Sequence, residues 1–154
     1  MSIAFIGIGS NLGRREDNCL LAIELLKEEC ITLVRRSSVY ETDPWGIKDQ
    51  PRFLNMAVEI ETDLKPVQLL NTLHTIEQKV GRKKTHRWGP RVVDLDILLF
   101  DDIVIDEAGL KIPHPLMHER AFVLEPLNEI APLVKHPALN KTVSELFRLL
   151  AEKS

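Results

Sequence analysis

Apolar positions change their spacing several times along the 154-residue chain, and each change marks an element. Ile3 to Gly9 is a continuous, partly β-branched apolar run that stops at Gly9, Ser10, Asn11 and Gly13. It predicts a buried strand followed by a strand-to-helix turn. From about Arg15 to Glu29 the apolar residues Leu20, Ile23, Leu26 and Cys30 recur at helical intervals, with Glu and Lys between them. β-type residues resume over Ile31 to Tyr40, and a polar loop carrying two prolines follows from Thr42 to Pro51. A second strand runs from Phe53 to Glu61. Its alternation sends Met56, Val58 and Ile60 to one face, which reads as core, and Phe53, Asn55, Ala57 and Glu59 to the other.

Lys65 to Val80 opens with Pro66 in its first turn and carries Val67, Leu70, Leu73, Ile76 and Val80 at helical spacing. Gly81 to Arg91 is a basic loop, Val92 to Phe100 a strand, and Ile103 to Ile105 with Leu110 to Ile112 a short strand pair. Beyond His114 the pattern predicts helical pieces at about Glu119 to Glu129 and Thr142 to Ala151, the latter with Val143, Leu146 and Leu150 in register. The order strand, helix, two strands, helix, strand fits an α+β ferredoxin-like fold. In it, helices pack on an antiparallel sheet, and the remaining residues form an appended C-terminal segment. No repeat or linker interrupts the chain, so one domain over 1–154 is expected.

Composition narrows the classes. The apolar and charged fractions, 44% and 28%, are those of an ordinary globular protein, and no apolar run approaches the roughly 20 residues that span a bilayer. The run Ile3 to Ile8 is too short for a signal-peptide core and has no basic segment ahead of it, so a cytoplasmic location is expected. A net charge of −3 gives no general reason for a nucleic acid or an anionic membrane as partner. Cys19 and Cys30 stand roughly 16 Å apart if both lie on one helix, beyond disulfide reach, and read as small hydrophobes.

Local chemistry concentrates in residues 82–96. In a strand Asp94 and Asp96 share a face with α-carbons about 6.5–7 Å apart. Two like charges about 6 Å apart repel by roughly 3 kcal/mol at an effective dielectric of about 20, so a cation belongs between them. Magnesium suits such a pair, because it keeps room for water and substrate phosphates. The alternative is two solvated charges on an edge strand. The preceding loop tips the balance. Arg82, Lys83, Lys84, His86, Arg87 and Arg91 gather positive charge in an acidic chain, and cations beside a metal-binding pair are the equipment of phosphoryl transfer.

Other features add less. Gly7-Ile8-Gly9-Ser10-Asn11-Leu12-Gly13 fits neither the dinucleotide fingerprint nor a P-loop. With two Trp, one Tyr and five Phe in the chain, Trp45, Phe53, Trp88 and Phe122 fall in or beside polar loops, where they are candidates either to stack on a heteroaromatic ring or to pack in the core. His114, between two prolines and six residues before Arg120, either reaches a phosphate or fills a turn.

At this point the sequence resembles the hydroxymethyldihydropterin pyrophosphokinases. The resemblance rests on Gly9-Ser10-Asn11-Leu12-Gly13, Tyr40-Glu41-Thr42-Asp43-Pro44, Asp49-Gln50-Pro51 with Phe53-Leu54-Asn55, and Ile76-Glu77 with Gly81-Arg82. It continues through Arg87-Trp88-Gly89-Pro90-Arg91 to Asp94-Leu95-Asp96, Pro113-His114-Pro115 with Met117, and Arg120 to Leu127. It implies a ferredoxin-like fold and transfer of the β,γ-pyrophosphoryl group of ATP to 6-hydroxymethyl-7,8-dihydropterin, releasing AMP, with two magnesium ions bridging Asp94, Asp96 and the triphosphate. It further implies that Phe53 and Phe122 sandwich the pterin, that Asn55 reads its polar edge, and that the segment Thr42, Asp43 to Trp45 offers backbone groups. Glu77, Trp88, Ile97, Lys111, His114 and Arg120 are implied to line the ATP side, with His74 and Lys84 at positions where the family carries other nucleotide-contacting residues. Arg82 and Arg91 match arginines that stabilise the phosphate chain.

Two other classes compete. One is a metal-dependent kinase or nucleotidyltransferase acting on a different alcohol; its phosphate products would separate it. The other is an RNA-binding ferredoxin-like module, which the acidic charge and the absence of an aromatic-rich strand signature disfavour.

Overall fold

The computed structural model describes residues 1–42, 52–81 and 92–153. The elements in chain order are β1 (Ser2–Ser10), α1 (Arg15–Lys27), β2 (Ile31–Arg36), β3 (Tyr40–Thr42), β4 (Phe53–Thr62), α2 (Pro66–Gly81) and β5 (Asp94–Phe100). A hairpin of β6 (Ile105–Glu107) and β7 (Leu110–Ile112) follows, then a 3-10 turn (Met117–Glu119), α3 (Ala121–Ile130), a second hairpin of β8 (Lys135–His136) and β9 (Lys141–Thr142), and α4 (Val143–Glu152).

The main sheet has the order β2-β4-β1-β5, with β3 continuing the edge of β2 along β4, and its pairings are antiparallel. The run predicted as one strand from Ile31 to Tyr40 is broken at Ser37. There the Ser37 N–H donates to the Ala57 carbonyl and its hydroxyl accepts the Ala57 N–H, both at 2.9 Å. A side chain thus completes the ladder where the backbone leaves it.

Both faces of the sheet are covered. Ala4, Ile6 and Ile8 of β1 and Met56, Val58 and Ile60 of β4 meet α1 and α2 in one core, as the alternation in β4 predicts. Phe5, Ala57, Leu98 and Leu99 meet α3 and α4 in the other. Each fully buried large apolar side chain contributes about 1.5–3 kcal/mol.

Parity in β5 is switched by a bulge. Phe5 pairs with Leu99 and Ile6 with Ile97, so Leu98 has no partner across the ladder. Leu98 and Leu99 therefore both enter the second core, while Leu95, Ile97 and Phe100 enter the first.

The helical stripes match the predicted ones at Ile23 and Leu26 of α1 and at Leu73, Ile76 and Val80 of α2, and depart from them in the first turns. In α1 the buried residues are Asn18, Cys19, Ala22, Ile23 and Leu26, while Leu20 is exposed. Cys30 lies beyond the helix at φ 46°, exposed, and both cysteines are free. In α2 Leu69 takes the buried place, Leu70 is partly buried and Val67 is exposed. The small side chains of Cys19 and Ala22 let α1 approach the sheet closely, which a scale that rewards large residues misses. Among the described residues no helix is long and apolar enough to cross a membrane.

Candidate active site

Asp94 and Asp96 lie on the sheet face opposite α1 and α2, since Leu95 and Ile97 between and beside them are buried against those helices. Asp94 is half-buried and Asp96 exposed. Across the ladder Gly9 stands beside Asp94 and Gly7 beside Asp96. Both glycines sit inside β1, as the strand expected over Ile3 to Gly9 has them, and Gly13, at φ 69°, lies in the turn that follows. Their missing side chains leave the floor of a cavity of about 550 Å³, within the range of small-molecule sites.

One wall of this cavity is Thr42, Phe53 and Asn55, and the opposite wall carries Arg120, Phe122 and Val123. Thr42 and Phe53 are register partners, which places them side by side. The Asn55 amide N–H donates to the Thr42 hydroxyl at 2.8 Å, which fixes the amide's orientation. A methyl built on Gly9 would stand 3.0 Å from Asn55 Oδ1, so the amide oxygen lies over space that only glycine leaves. The Arg120 guanidinium carbon sits 5.6 Å from the Phe122 ring centroid, a cation–π distance. Arg120, which the resemblance implies on the nucleotide side, lines this cavity.

A second cavity, of about 270 Å³, is lined by His74, Ile97, Lys111 and His114. Asp96 lines both cavities, so they meet at that residue. Lys111 Nζ is 3.1 Å from Asp106 across the β6–β7 hairpin, which holds its charge near the rim. The His114 N–H donates to the Leu98 carbonyl at 3.0 Å, and its ring Nδ1 accepts the Leu116 N–H at 3.2 Å. Burial, reinforced by Arg120 and opposed by Asp96, holds the His114 imidazole below its ordinary pKa of 6.5.

Glu77 is not among the residues lining either cavity. Its Oε2 accepts the Leu95 N–H at 2.8 Å, holding the backbone of β5 between the two aspartates. Asp43, Trp45, Arg82, Lys84, Trp88 and Arg91 lie outside the described residues. The sequence reading passed over Gly7, Gly9, Leu98 and Val123 as site residues, although all four line the larger cavity. For the glycines a signal existed: spaced by two in a strand, they share one face.

Among the described residues no group of three or more His, Cys, Asp or Glu side chains is placed to hold a metal, and Asp96 makes no ion pair. Two carboxylates on one strand face, lining one cavity, suit a hard cation of the kind that takes its other ligands from water and phosphate.

Fold and site together define a mixed protein of helices and antiparallel sheet built around a small-molecule cavity. Solved structures share that fold: a wild-type HPPK-DHPS of Plasmodium falciparum matches 99% of this chain with a TM-score of 0.79 at 18% identity. The chain spans 45% of that longer protein.

The chain belongs to the 7,8-dihydro-6-hydroxymethylpterin-pyrophosphokinase (HPPK) family, whose family model matches residues 5–132. A 2-amino-4-hydroxy-6-hydroxymethyldihydropteridine pyrophosphokinase of Bacillus subtilis is 48% identical over 155 residues, covering 99% of this chain and 93% of that protein. The enzyme of the same name from Aquifex aeolicus is 43% identical, covering 94% and 90%.

Proposed function

We propose that the chain transfers the β,γ-pyrophosphoryl group of ATP to the hydroxymethyl oxygen of 6-hydroxymethyl-7,8-dihydropterin, giving AMP and the pterin pyrophosphate, a step of folate biosynthesis. The observation that carries this reading is the junction of two cavities at Asp96, one walled by aromatic rings and an oriented amide, the other rimmed by His and Lys.

In this reading Phe53 and Phe122 hold the pterin ring between them, and Asn55, oriented by Thr42, reads its edge. His74, Ile97, Lys111 and His114 receive the nucleotide, and Arg120 reaches the phosphate chain from beside Phe122. By family resemblance Asp43 and Trp45 complete the pterin pocket, while Arg82, Lys84, Trp88 and Arg91 bring charge and a stacking surface to the triphosphate. Asp94 and Asp96 hold two magnesium ions. Bound there, the metal supplies charge neutralisation for the triphosphate.

The pterin oxygen attacks the β-phosphorus, the bond from that phosphorus to the α,β-bridging oxygen breaks, and AMP leaves with the electron pair. The hydroxyl proton goes to solvent or phosphate. A loose transition state asks little of the nucleophile, so no strong general base is assigned. Alignment of the two substrates and neutralisation of charge carry the rate.

The same reading takes the βαββαβ order and the strand order as a ferredoxin-like unit, with residues 1–154 acting as one domain. The test is a chromatographic product assay with ATP, magnesium and 6-hydroxymethyl-7,8-dihydropterin. AMP and pterin pyrophosphate in equal amounts, formed only with all three present, are expected. ADP as the nucleotide product would point to ordinary kinase action, and absence of a pterin product would overturn the acceptor.

A further inference from the structure

Helix α3 carries Phe122 at one end and is fastened to the sheet at the other. In its last turn Glu129 accepts hydrogen bonds from the Tyr40 hydroxyl at 2.6 Å, from the Ser38 N–H at 3.0 and 3.1 Å to its two oxygens, and from the Ser38 hydroxyl at 3.2 Å. Arg35 adds a bond to the Ile130 carbonyl at 3.2 Å. The bond from the phenol to the carboxylate is short and charge-assisted. Its effect is felt by both partners, for Tyr40 is pushed up to about 12 and Glu129 is held below the usual carboxylate range.

Geometry links this fastening to the cavity on both sides. Phe122 and Glu129 are two turns apart on α3, so they share a helix face, and fixing Glu129 fixes the direction in which Phe122 points. Tyr40 is the register partner of Asn55, and Thr42, two residues on, receives the Asn55 amide. The two walls of the larger cavity, α3 on one side and β3 with β4 on the other, are thus joined at the end remote from the carboxylates.

We infer that Tyr40 and Glu129 are positioning residues that set the separation and tilt of Phe122 relative to Phe53 and Asn55, and with it the acceptance of a flat heterocycle. The inference rests on the reading of this cavity as the pterin site. Glu129 is exposed, so the link adds little to global stability; what it controls is alignment.

Tyr40→Phe removes a single oxygen and keeps the ring, and Glu129→Ala removes the acceptor. In steady-state assays each raises the KM for 6-hydroxymethyl-7,8-dihydropterin about tenfold, the worth of one hydrogen bond to a charged group, and leaves the KM for ATP within about twofold. The double variant is no worse than the poorer single one, because both changes break the same link. A pterin KM within about twofold of wild type in Tyr40→Phe would overturn the inference, as would a parallel rise in both KM values or additive effects in the double variant. Wild-type protein is assayed first: if it forms no pterin product, the functional reading fails, and the positioning role fails with it.

Discussion

Gly9 is the residue with the least room to change. Its missing side chain lies against Asn55 Oδ1, and Asn55 is buried and held by Thr42, so the amide cannot move aside without losing that bond. Gly9→Ala is expected to raise the pterin KM by about tenfold or more, the cost of a displaced buried hydrogen-bonding group. Gly7→Ala is the comparison: its methyl meets the flexible Leu98 side chain at 3.4 Å, an ordinary contact, and not Asn55, so its pterin KM should rise less than that of Gly9→Ala. Equal effects of the two changes, read in the same assay, would remove Asn55 orientation as the explanation. Asp94→Ala and Asp96→Ala are expected to lower turnover by about a hundredfold or more while circular dichroism stays that of wild type, because charge stabilisation in phosphoryl transfer has no substitute here. At this scale the aspartate pair was legible because alternation in a strand needs no knowledge of neighbours. The role of the glycines was not, since it depends on what stands across the ladder.

Among the elements, β5 depends on a side-chain hydrogen bond for its alignment. Beyond the last β1–β5 pair, Gly9 with Asp94, the buried Ser10 hydroxyl donates to the Val92 carbonyl at 2.6 Å and accepts from Asn18 of α1 at 3.3 Å. Asn18 also donates to the Leu12 carbonyl at 2.8 Å. Ser10→Ala leaves two buried polar groups short of a partner and should lower unfolding free energy by about 1–3 kcal/mol in urea titrations. An unchanged midpoint would mean that water replaces the hydroxyl. At the far end of the chain, the capping box of Thr142 and Glu145 starts α4, with Thr142 accepting the Glu145 N–H at 3.1 Å. The element order was readable from periodicity and punctuation. The first turn of α1 was not, because small Cys19 and Ala22 are buried there while Leu20 is exposed.

At the scale of the molecule, the ionisable groups with displaced pKa values among the described residues favour folding near neutrality. His136 is held below 6.5 chiefly by burial, with His118 adding to it, so as pH falls through 6.5 the unfolded chain takes up a proton that the folded one resists, and stability drops. Glu129 and Glu145 are held below 4.5 by hydrogen bonds and act in the same direction above that value, but solvent reaches both and screens their part in stability. In the alkaline direction, burial pushes Cys19 up to about 11 and the bond to Glu129 pushes Tyr40 up to about 12. Their contributions are present below 9.0 and 10.0 and are lost as pH rises through the folded values. Urea midpoints measured across the pH range should therefore form a plateau that falls below 6.5 and again above 9.0. A midpoint that climbs on acidification would contradict the assignment of His136 as buried and neutral. The covering of both sheet faces could not be foreseen from the strand pattern alone. The C-terminal residues read as an appended segment, and only their contact with Phe5, Ala57, Leu98 and Leu99 reveals a second core.

β5 stands at one end of the strand order, so among the described strands none pairs with its outer side, although the His114 N–H bonds the Leu98 carbonyl there. A strand margin that no strand pairs with is a template on which a second molecule can extend the sheet. Here the margin carries two aspartates, and its Leu95 N–H is already taken by Glu77. In the proposed reading the same carboxylates serve the chemistry and, as charges on an unpaired strand, oppose edge-to-edge association. Neutralising them to probe the chemistry exposes a colloidal weakness at the same time, and activity losses in such variants carry meaning only at concentrations where sedimentation still finds the same particle as in the wild type.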